Sequence, residues 1–224
     1  MARRLEAEPL NILLTGVGGQ GNVLAARVIA MASVASGYQV AVGETFGASQ
    51  RGGTVASHVR LALKDRYGPL IPRGEAHVIV GFEPLEACRA LLAYGNINTY
   101  VLANWRPLPP VSVLQGEEEY PALADLERFL LEHTGGLLVL DATARAQELG
   151  SAAATNMVLT GALVASGLLP LDPQALDQVL KELFTDAVLE LNRKALAAGM
   201  AVWEQSTPQQ IWLGCSPNKD SATR

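Results

Sequence analysis

The sequence predicts an α/β protein: a Rossmann-like, mostly parallel sheet with flanking helices and a helical C-terminal part. Three observations predict it. The apolar run Asn11–Thr15 leads into GVGGQG and then into an apolar stretch without breakers, the order strand, tight turn, helix. Short continuous apolar runs recur at 76–82, 99–104 and 136–142, the mark of strands buried on both faces. From Thr143 onward, apolar residues recur at three- and four-residue spacings, as on helices.

Taken in order, Asn11–Thr15 is the first strand. Asn22–Ala35 carries Val23, Leu24, Ala26, Val28 and Ile29 and reads as the first helix, stopped by Gly37 at the position of a C-cap. Tyr38–Thr45 is a second strand, so the chain opens β-α-β. A doubly wound nucleotide-binding unit would place a helix next. Instead Phe46–Gly53, FGASQRGG, is a glycine-rich loop, and the partly alternating, Thr- and Val-rich TVASHVRLAL behind it is a third strand. Ala76–Phe82 is a buried strand. Pro84 holds the N1 position of the helix LEACRALLAY. Thr99–Asn104 is a strand, WRPLPP a rigid connector, ALADLERFLLEH an amphipathic helix and Gly136–Ala142 a buried strand. Helices follow at MVLTGALVASGLL, at PQALDQVLKELF with Asp172 and Pro173 as N-cap and N1, and at DAVLELNRKALAAGMAVW. Residues 1–203 read as one domain and 204–224 as a polar tail, partly disordered.

The composition excludes several functions. The chain has 224 residues, is 49% hydrophobic and 17% charged, and carries a net charge of −5. Without a basic run it has no footprint for nucleic acid. Two cysteines, Cys88 and Cys215, are too few for an iron–sulfur cluster or a four-cysteine zinc site. No apolar run reaches the ~18 residues of a membrane span, and MARRLEAEPL has no signal-peptide core. These points suggest a cytoplasmic protein.

GVGGQG, Gly16–Gly21, is the G-x-G-x-x-G spacing of dinucleotide-binding turns, with Gly18, Gly19, Gln20 and Gly21 at the helix N-terminus, where an anion is favoured. Glu44, at the end of the second strand, stands where a ribose-binding carboxylate would. The spacing is at least as consistent with a close strand–helix crossing that needs glycine. In the next loop Arg51 is flanked by Ser49, Gln50, Gly52 and Gly53, so the backbone there can approach an anion or a partner; a solvated turn fits the composition equally well. His58 shares a strand face with Thr54, Ala56 and Arg60, where a satisfied structural histidine is more usual than a catalyst. Asn104 and Arg106 precede a rigid proline run and suit a ligand, a subunit contact or a turn. Asp141 ends a parallel-type strand, yet equally caps the next helix, and Asn156 suits packing or capping. His77 and His133 have no metal-ligand partners at usable spacing.

Several separate motifs, in order, carry a resemblance: GVGGQG, GETFGASQRGGTVASHVRL, PLIPRGEAHVIVGFEPLEACRAL, NWRPLPP, LDAT and NMVLTGAL. Together they resemble the gamma-type subunits of 2-oxoacid:ferredoxin oxidoreductases from about Asn11 to Met200. GFEPLE at 81–86 and the Asn104–Arg106–Pro107 segment favour the indolepyruvate type, whose corresponding subunit is called beta, over the pyruvate type. The resemblance implies a hetero-oligomeric enzyme that oxidatively decarboxylates a 2-oxoacid such as indolepyruvate to the acyl-CoA and reduces ferredoxin. Thiamine diphosphate, Mg and iron–sulfur clusters are then expected in an alpha-type partner subunit, coenzyme A is a substrate, and the isolated chain is inactive. The glycine turn would be kept as structure rather than for NAD or FAD. In keeping with this, the chain has no Gly-Asp-Gly diphosphate–magnesium motif and no cluster cysteines. A free-standing NAD- or FAD-dependent oxidoreductase is the alternative. A loop and a strand after the second strand support the subunit reading, whereas a helix there, with Glu44 in a cleft, supports the alternative.

Overall fold

The structure, a computed structural model, describes residues 5–47, 53–109, 113, 115, 116 and 118–206, and the backbone of 211–213. Seven strands form one sheet: β1 (Leu10–Val17), β2 (Gln39–Phe46), β3 (Thr54–Ala62), β4 (Val78–Gly81), β5 (Tyr100–Asn104), β6 (Gly136–Leu140) and β7 (Ile211–Leu213), in the order β2-β3-β1-β4-β5-β6-β7. β1, β4, β5 and β6 are parallel neighbours. β3 is antiparallel to both β1 and β2, and β7 is antiparallel to β6. Five of the seven strands therefore run the same way. Around them lie α1 (Asn22–Ala35), α2 (Pro84–Tyr94), α3 (Leu123–His133), α4 (Ala142–Glu148), α5 (Thr155–Ala165), α6 (Pro173–Leu183) and α7 (Asp186–Gln205).

The chain opens β-α-β as its sequence predicts, but β1 and β2 are not neighbours. β2 and β3 pair in register from Gln39↔Ala62 to Phe46↔Val55, and β3 fills the place beside β1. The strand expected behind the 46–53 stretch is present as β3, while residues 48–52 lie outside the described residues. β7 lies within the span read as a tail.

The pleat divides the core. On β1, Leu10, Ile12 and Leu14 face one side and pack with Ile29, Val59, Val80, Met157, Leu159 and Leu180, under α1, α5, α6 and α7. Leu13 faces the other side and packs with Ile79, Leu91, Val101, Leu130 and Leu137, under α2 and α3. All eight β1 residues are buried, as a strand covered on both faces requires.

Local chemistry sets the helix ends. Ser36 and Gly37 close α1 through N–H bonds to Ala32 O and Val34 O, with Gly37 at φ 94°. The Asp172 side chain accepts from Gln174 N ahead of Pro173 and starts α6. α5 and α7 cross at two glycines. A Cβ on Gly161 would overlap Leu196 O, and one on Gly199 would overlap Val158 O. The two backbones touch, which only the absence of side chains permits.

Candidate functional site

The parallel strands end together, and their carboxyl ends carry the polar residues. α1 follows β1 onto one face of the sheet and α2 follows β4 onto the other, so a crevice opens between the ends of β1 and β4, the usual place for a ligand in such sheets. Here the crevice is closed from within by Gln20. Its Oε1 accepts from Val17 N at 2.7 Å and its Nε2 donates to Phe82 O at 3.1 Å. Gly16 accommodates that side chain, since a Cβ there would lie 2.6 Å from Gln20 Oε1 and 2.8 Å from Phe82 Cβ. The turn amides are also engaged by protein: Gly18 N donates to Gly53 O at 3.0 Å and Gln20 N to Val17 O at 3.2 Å. Gly19 and Gly21 adopt φ of 100° and 84°. The glycine turn is thus a self-filled strand–helix crossing.

Asn104 extends the same network. Its Nδ2 donates to Phe82 O and to Thr143 Oγ1, both at 3.0 Å, and its Oδ1 accepts from Thr143 N at 3.3 Å. One side chain on β5 therefore ties the end of β4 to the start of α4. Asp141 caps α4 by accepting from Ala144 N at 2.8 Å and lies 3.7 Å from Arg106 Nη1. Both ion-pair partners are substantially exposed, so that pair contributes about 0–1 kcal/mol.

Beside the turn lies a cleft of about 530 Å³, lined by Gly19, Gly21, Arg106, Leu108, Thr143 and Asn156 among others. Arg106 is the one charged side chain among the lining residues. The cleft also receives the N-termini of two full-length helices. α1 starts behind Gly21 without a side-chain N-cap, whereas α5 continues a 3-10 turn, Ala152–Ala154, from which Ala152 O accepts from Thr155 N, and Asn156 Oδ1 accepts from Met157 N at 2.9 Å. The first-turn amides of α1 have no intrahelical acceptor and present partial positive charge. With Arg106 the N-terminus of α1 gives the cleft a field suited to an anion. Asn156 packs over the turn, where a Cβ on Gly21 would approach its Nδ2 to 2.8 Å.

The sequence candidates therefore separate into groups. Gly18, Gly19, Gln20, Gly21, Asn104 and Arg106 come together at this end of the sheet, and Gly53 joins them through its carbonyl. Ser49, Gln50, Arg51 and Gly52 lie outside the described residues. Glu44 stands exposed on the edge strand β2, opposite Ser57, and the whole of β3 separates it from β1. His58 is 1% exposed. Its Nδ1 accepts from Ile71 N at 3.2 Å and its ring meets Tyr94 edge-on at 5.1 Å. Burial, and then the charge of Arg60, lower its pKa, so it is a neutral structural acceptor. His77 plays the same part, accepting from Asn11 N at 3.0 Å.

Sequence reasoning missed Thr143 and Glu83. Glu83 is 1% exposed. It caps α2 by accepting from Glu86 N at 2.9 Å and accepts also from Leu108 N and from the Tyr120 hydroxyl. It thereby anchors the connector that carries Arg106. Burial and the Glu83 carboxylate push the Tyr120 phenol up. The available signal was an acidic residue directly before an N1 proline. Nearby, Cys88 Sγ donates to Leu126 O at 3.7 Å, and burial raises the thiol to about 12. A second cleft, about 310 Å³, lies on the α2 side of the sheet between Leu13, Thr45, Phe46, Glu86 and Tyr94. Phe46 stands 66% exposed at its rim. Among the described residues no cluster of His, Cys, Asp and Glu is placed to hold a metal ion, and no helix is long and apolar enough to cross a membrane.

The sequence profile of the pyruvate ferredoxin/flavodoxin oxidoreductase family matches residues 11–202. The chain belongs to this family. Within it, the chain is similar to the indolepyruvate oxidoreductase subunit IorB of Thermococcus kodakarensis, at 39% identity over 191 residues, 85% of this chain and 94% of that protein. The IorB of Pyrococcus horikoshii is 40% identical over the same shares of the two chains. In fold, the oxidoreductase subunit is similar to the gamma subunit of a keto/oxoacid ferredoxin oxidoreductase from Geobacter sulfurreducens. That similarity has a TM-score of 0.63 at 22% identity and covers 88% of this chain and 99% of that one. A 2-oxoglutarate:ferredoxin oxidoreductase from Magnetococcus marinus aligns with a TM-score of 0.70 at 24% identity, over 90% of this chain and 32% of that one. The chain is thus a gamma-type subunit of the 2-oxoacid:ferredoxin oxidoreductases, and the NAD or FAD alternative is not favoured.

Proposed function

We propose that this subunit serves an indolepyruvate-type enzyme of the cytoplasm, which converts an aromatic 2-oxoacid and coenzyme A to the acyl-CoA and CO₂ while reducing ferredoxin. The observation that carries the reading is the 39–40% identity to IorB proteins along 94% of their length. Thiamine diphosphate with Mg and the iron–sulfur clusters belong to an alpha-type partner, where they supply the decarboxylation and the electron path. The described residues of this chain offer no cluster of ligands for them. Its own task is to bind, orient and enclose.

Two parts of the surface and one stretch of sequence support that division. The Arg106 cleft, with the open N-terminus of α1, suits the phosphates of coenzyme A. By its composition the glycine-rich stretch 46–53, with Ser49, Gln50 and Arg51, fits a ligand or the edge of the partner's site. The apolar rim at Phe46, beside the cleft on the α2 side, fits the partner itself, because exposed apolar patches mark interfaces.

Co-expression with a thiamine- and cluster-bearing partner tests the reading. Ferredoxin reduction should require both chains, coenzyme A and a 2-oxoacid, and kcat/KM should favour indolepyruvate over pyruvate. Equal turnover by the partner alone would remove the subunit role. A preference for pyruvate would remove the substrate assignment.

A further inference from the structure

A second charged site lies at the opposite end of the sheet. Arg60, on β3, is 8% exposed. Its Nε donates to Asn11 Oδ1 at 2.9 Å, and its Nη1 donates to the carbonyls of Gly68 and Leu70 at 3.0 and 3.1 Å. Its Cζ stands 5.3 Å from the centre of the Tyr67 ring. Every one of these partners is neutral. Among the described residues Arg60 makes no ion pair, although a cation withdrawn this far from water is ordinarily matched by a counter-charge. Nη2 has no acceptor among the described residues, and it is not one of the buried polar atoms left unpaired. It therefore keeps access to solvent.

Arg60 lines a pocket of about 290 Å³ together with Gln39, Asp65, Arg66 and Tyr67. Arg66 is exposed and makes no ion pair among the described residues either. Two guanidinium groups against one carboxylate leave the pocket positive in a chain of net charge −5. The pocket sits where β2 begins and β3 ends, beside the start of β1. The Arg106 cleft lies at the other end of the same strands, so the two do not share a ligand.

We propose that this pocket is an anion site, which takes the phosphate or carboxylate group of a small metabolite between Arg60 Nη2 and the Arg66 guanidinium. Gln39 and Tyr67 offer neutral donors at the walls. Asp65 is the rival: it lines the pocket, and a swing of its side chain would supply the counter-charge internally. An anion must displace that option, which makes the site weak, on the order of a millimolar Kd, and makes Asp65 its regulator.

Calorimetry and thermal unfolding of the full chain test this, with inorganic phosphate and succinate as probes at ionic strength matched with NaCl. Saturable binding to the wild type is expected from at least one probe, and which one binds assigns the phosphate or the carboxylate source. Arg66→Ala, an exposed change, should keep its far-UV circular dichroism and weaken binding about five- to tenfold. Asp65→Asn should tighten it severalfold. Arg106→Ala should leave it unchanged. Absence of saturable binding by both probes overturns the proposal. So do equal affinities in the wild type, Arg66→Ala and Asp65→Asn, which would reduce any stabilisation to a general salt effect. Loss in Arg106→Ala with retention in Arg66→Ala would move the anion to the other cleft and also overturn it.

Discussion

Gln20→Ala tests whether the glycine turn is filled by its own side chain. The substitution removes the 2.7 Å bond from Val17 N and the 3.1 Å bond to Phe82 O. Phe82 O keeps Asn104 Nδ2 at 3.0 Å, so the carbonyl is not orphaned. Val17 N is buried in β1 and loses the acceptor beyond its strand. Each neutral hydrogen bond contributes about 0.5–1.5 kcal/mol, and an unsatisfied buried donor costs about 1–3 kcal/mol. Water from the adjoining cleft can reach part of the vacated space, which keeps the sum near the low end, about 1–2 kcal/mol. For a chain of this size that lowers Tm by roughly 2–8 °C. Differential scanning fluorimetry reads it, with Glu44→Ala as the control; Glu44 is exposed, and its removal should stay within about 0.5 kcal/mol. An unchanged Tm in Gln20→Ala would show that solvent replaces the side chain at no cost and would refute the structural account of the turn. Tight NAD binding by the wild type would refute it as well.

Gly199→Ala should cost about 1–3 kcal/mol or more, because the new Cβ meets Val158 O and forces α5 and α7 apart; urea unfolding measures it, and an unchanged midpoint contradicts the close crossing. Acid should weaken the fold through His58 and His77. Burial lowers both from the ordinary value of 6.5, against a smaller raising effect of Glu75 on His77. The unfolded chain therefore binds more protons just below pH 6.5, so stability is full above that pH and falls as pH drops towards the folded values. A stability profile flat from pH 7.5 to 5, or one rising on acidification, contradicts this. Arg51→Ala in the assembled complex should lower kcat/KM for coenzyme A about ten- to hundredfold, the loss of charge-assisted bonds worth roughly 1.5–3 kcal/mol. Wild-type kinetics would assign Arg51 to a solvated turn.

Much of the fold was legible because the signals are local. The stretch from Asn22 to Ala35 lacks breakers and ends at Gly37, and the helix has those bounds. The strand at Thr54–Ala62 was readable from its alternation and its Thr and Val content. Strand order was not. Local periodicity says that 54–62 is extended, but pairing it between β1 and β2 is a tertiary choice. Gly161 and Gly199 sit within helical runs, and only the crossing of two distant helices shows their use. At the site, the spacing of GVGGQG was visible, while the engagement of Gln20 with Phe82 O spans 62 residues. The meeting of the uncapped N-terminus of α1 with Arg106 likewise has no sequence signature, since that cap is defined by an absence. Glu83 was hidden for a different reason: its role depends on Tyr120 and Leu108, which a reading of single segments does not bring together.

This chain works as one subunit of a 2-oxoacid:ferredoxin oxidoreductase. Affinity purification of the tagged chain from its native host, followed by mass spectrometry and cofactor analysis, tests that claim most directly. The account predicts stoichiometric recovery of one larger protein that carries thiamine diphosphate and iron–sulfur clusters, with 2-oxoacid-dependent ferredoxin reduction in the recovered complex. Recovery of this chain alone, active with NAD or FAD, would contradict it.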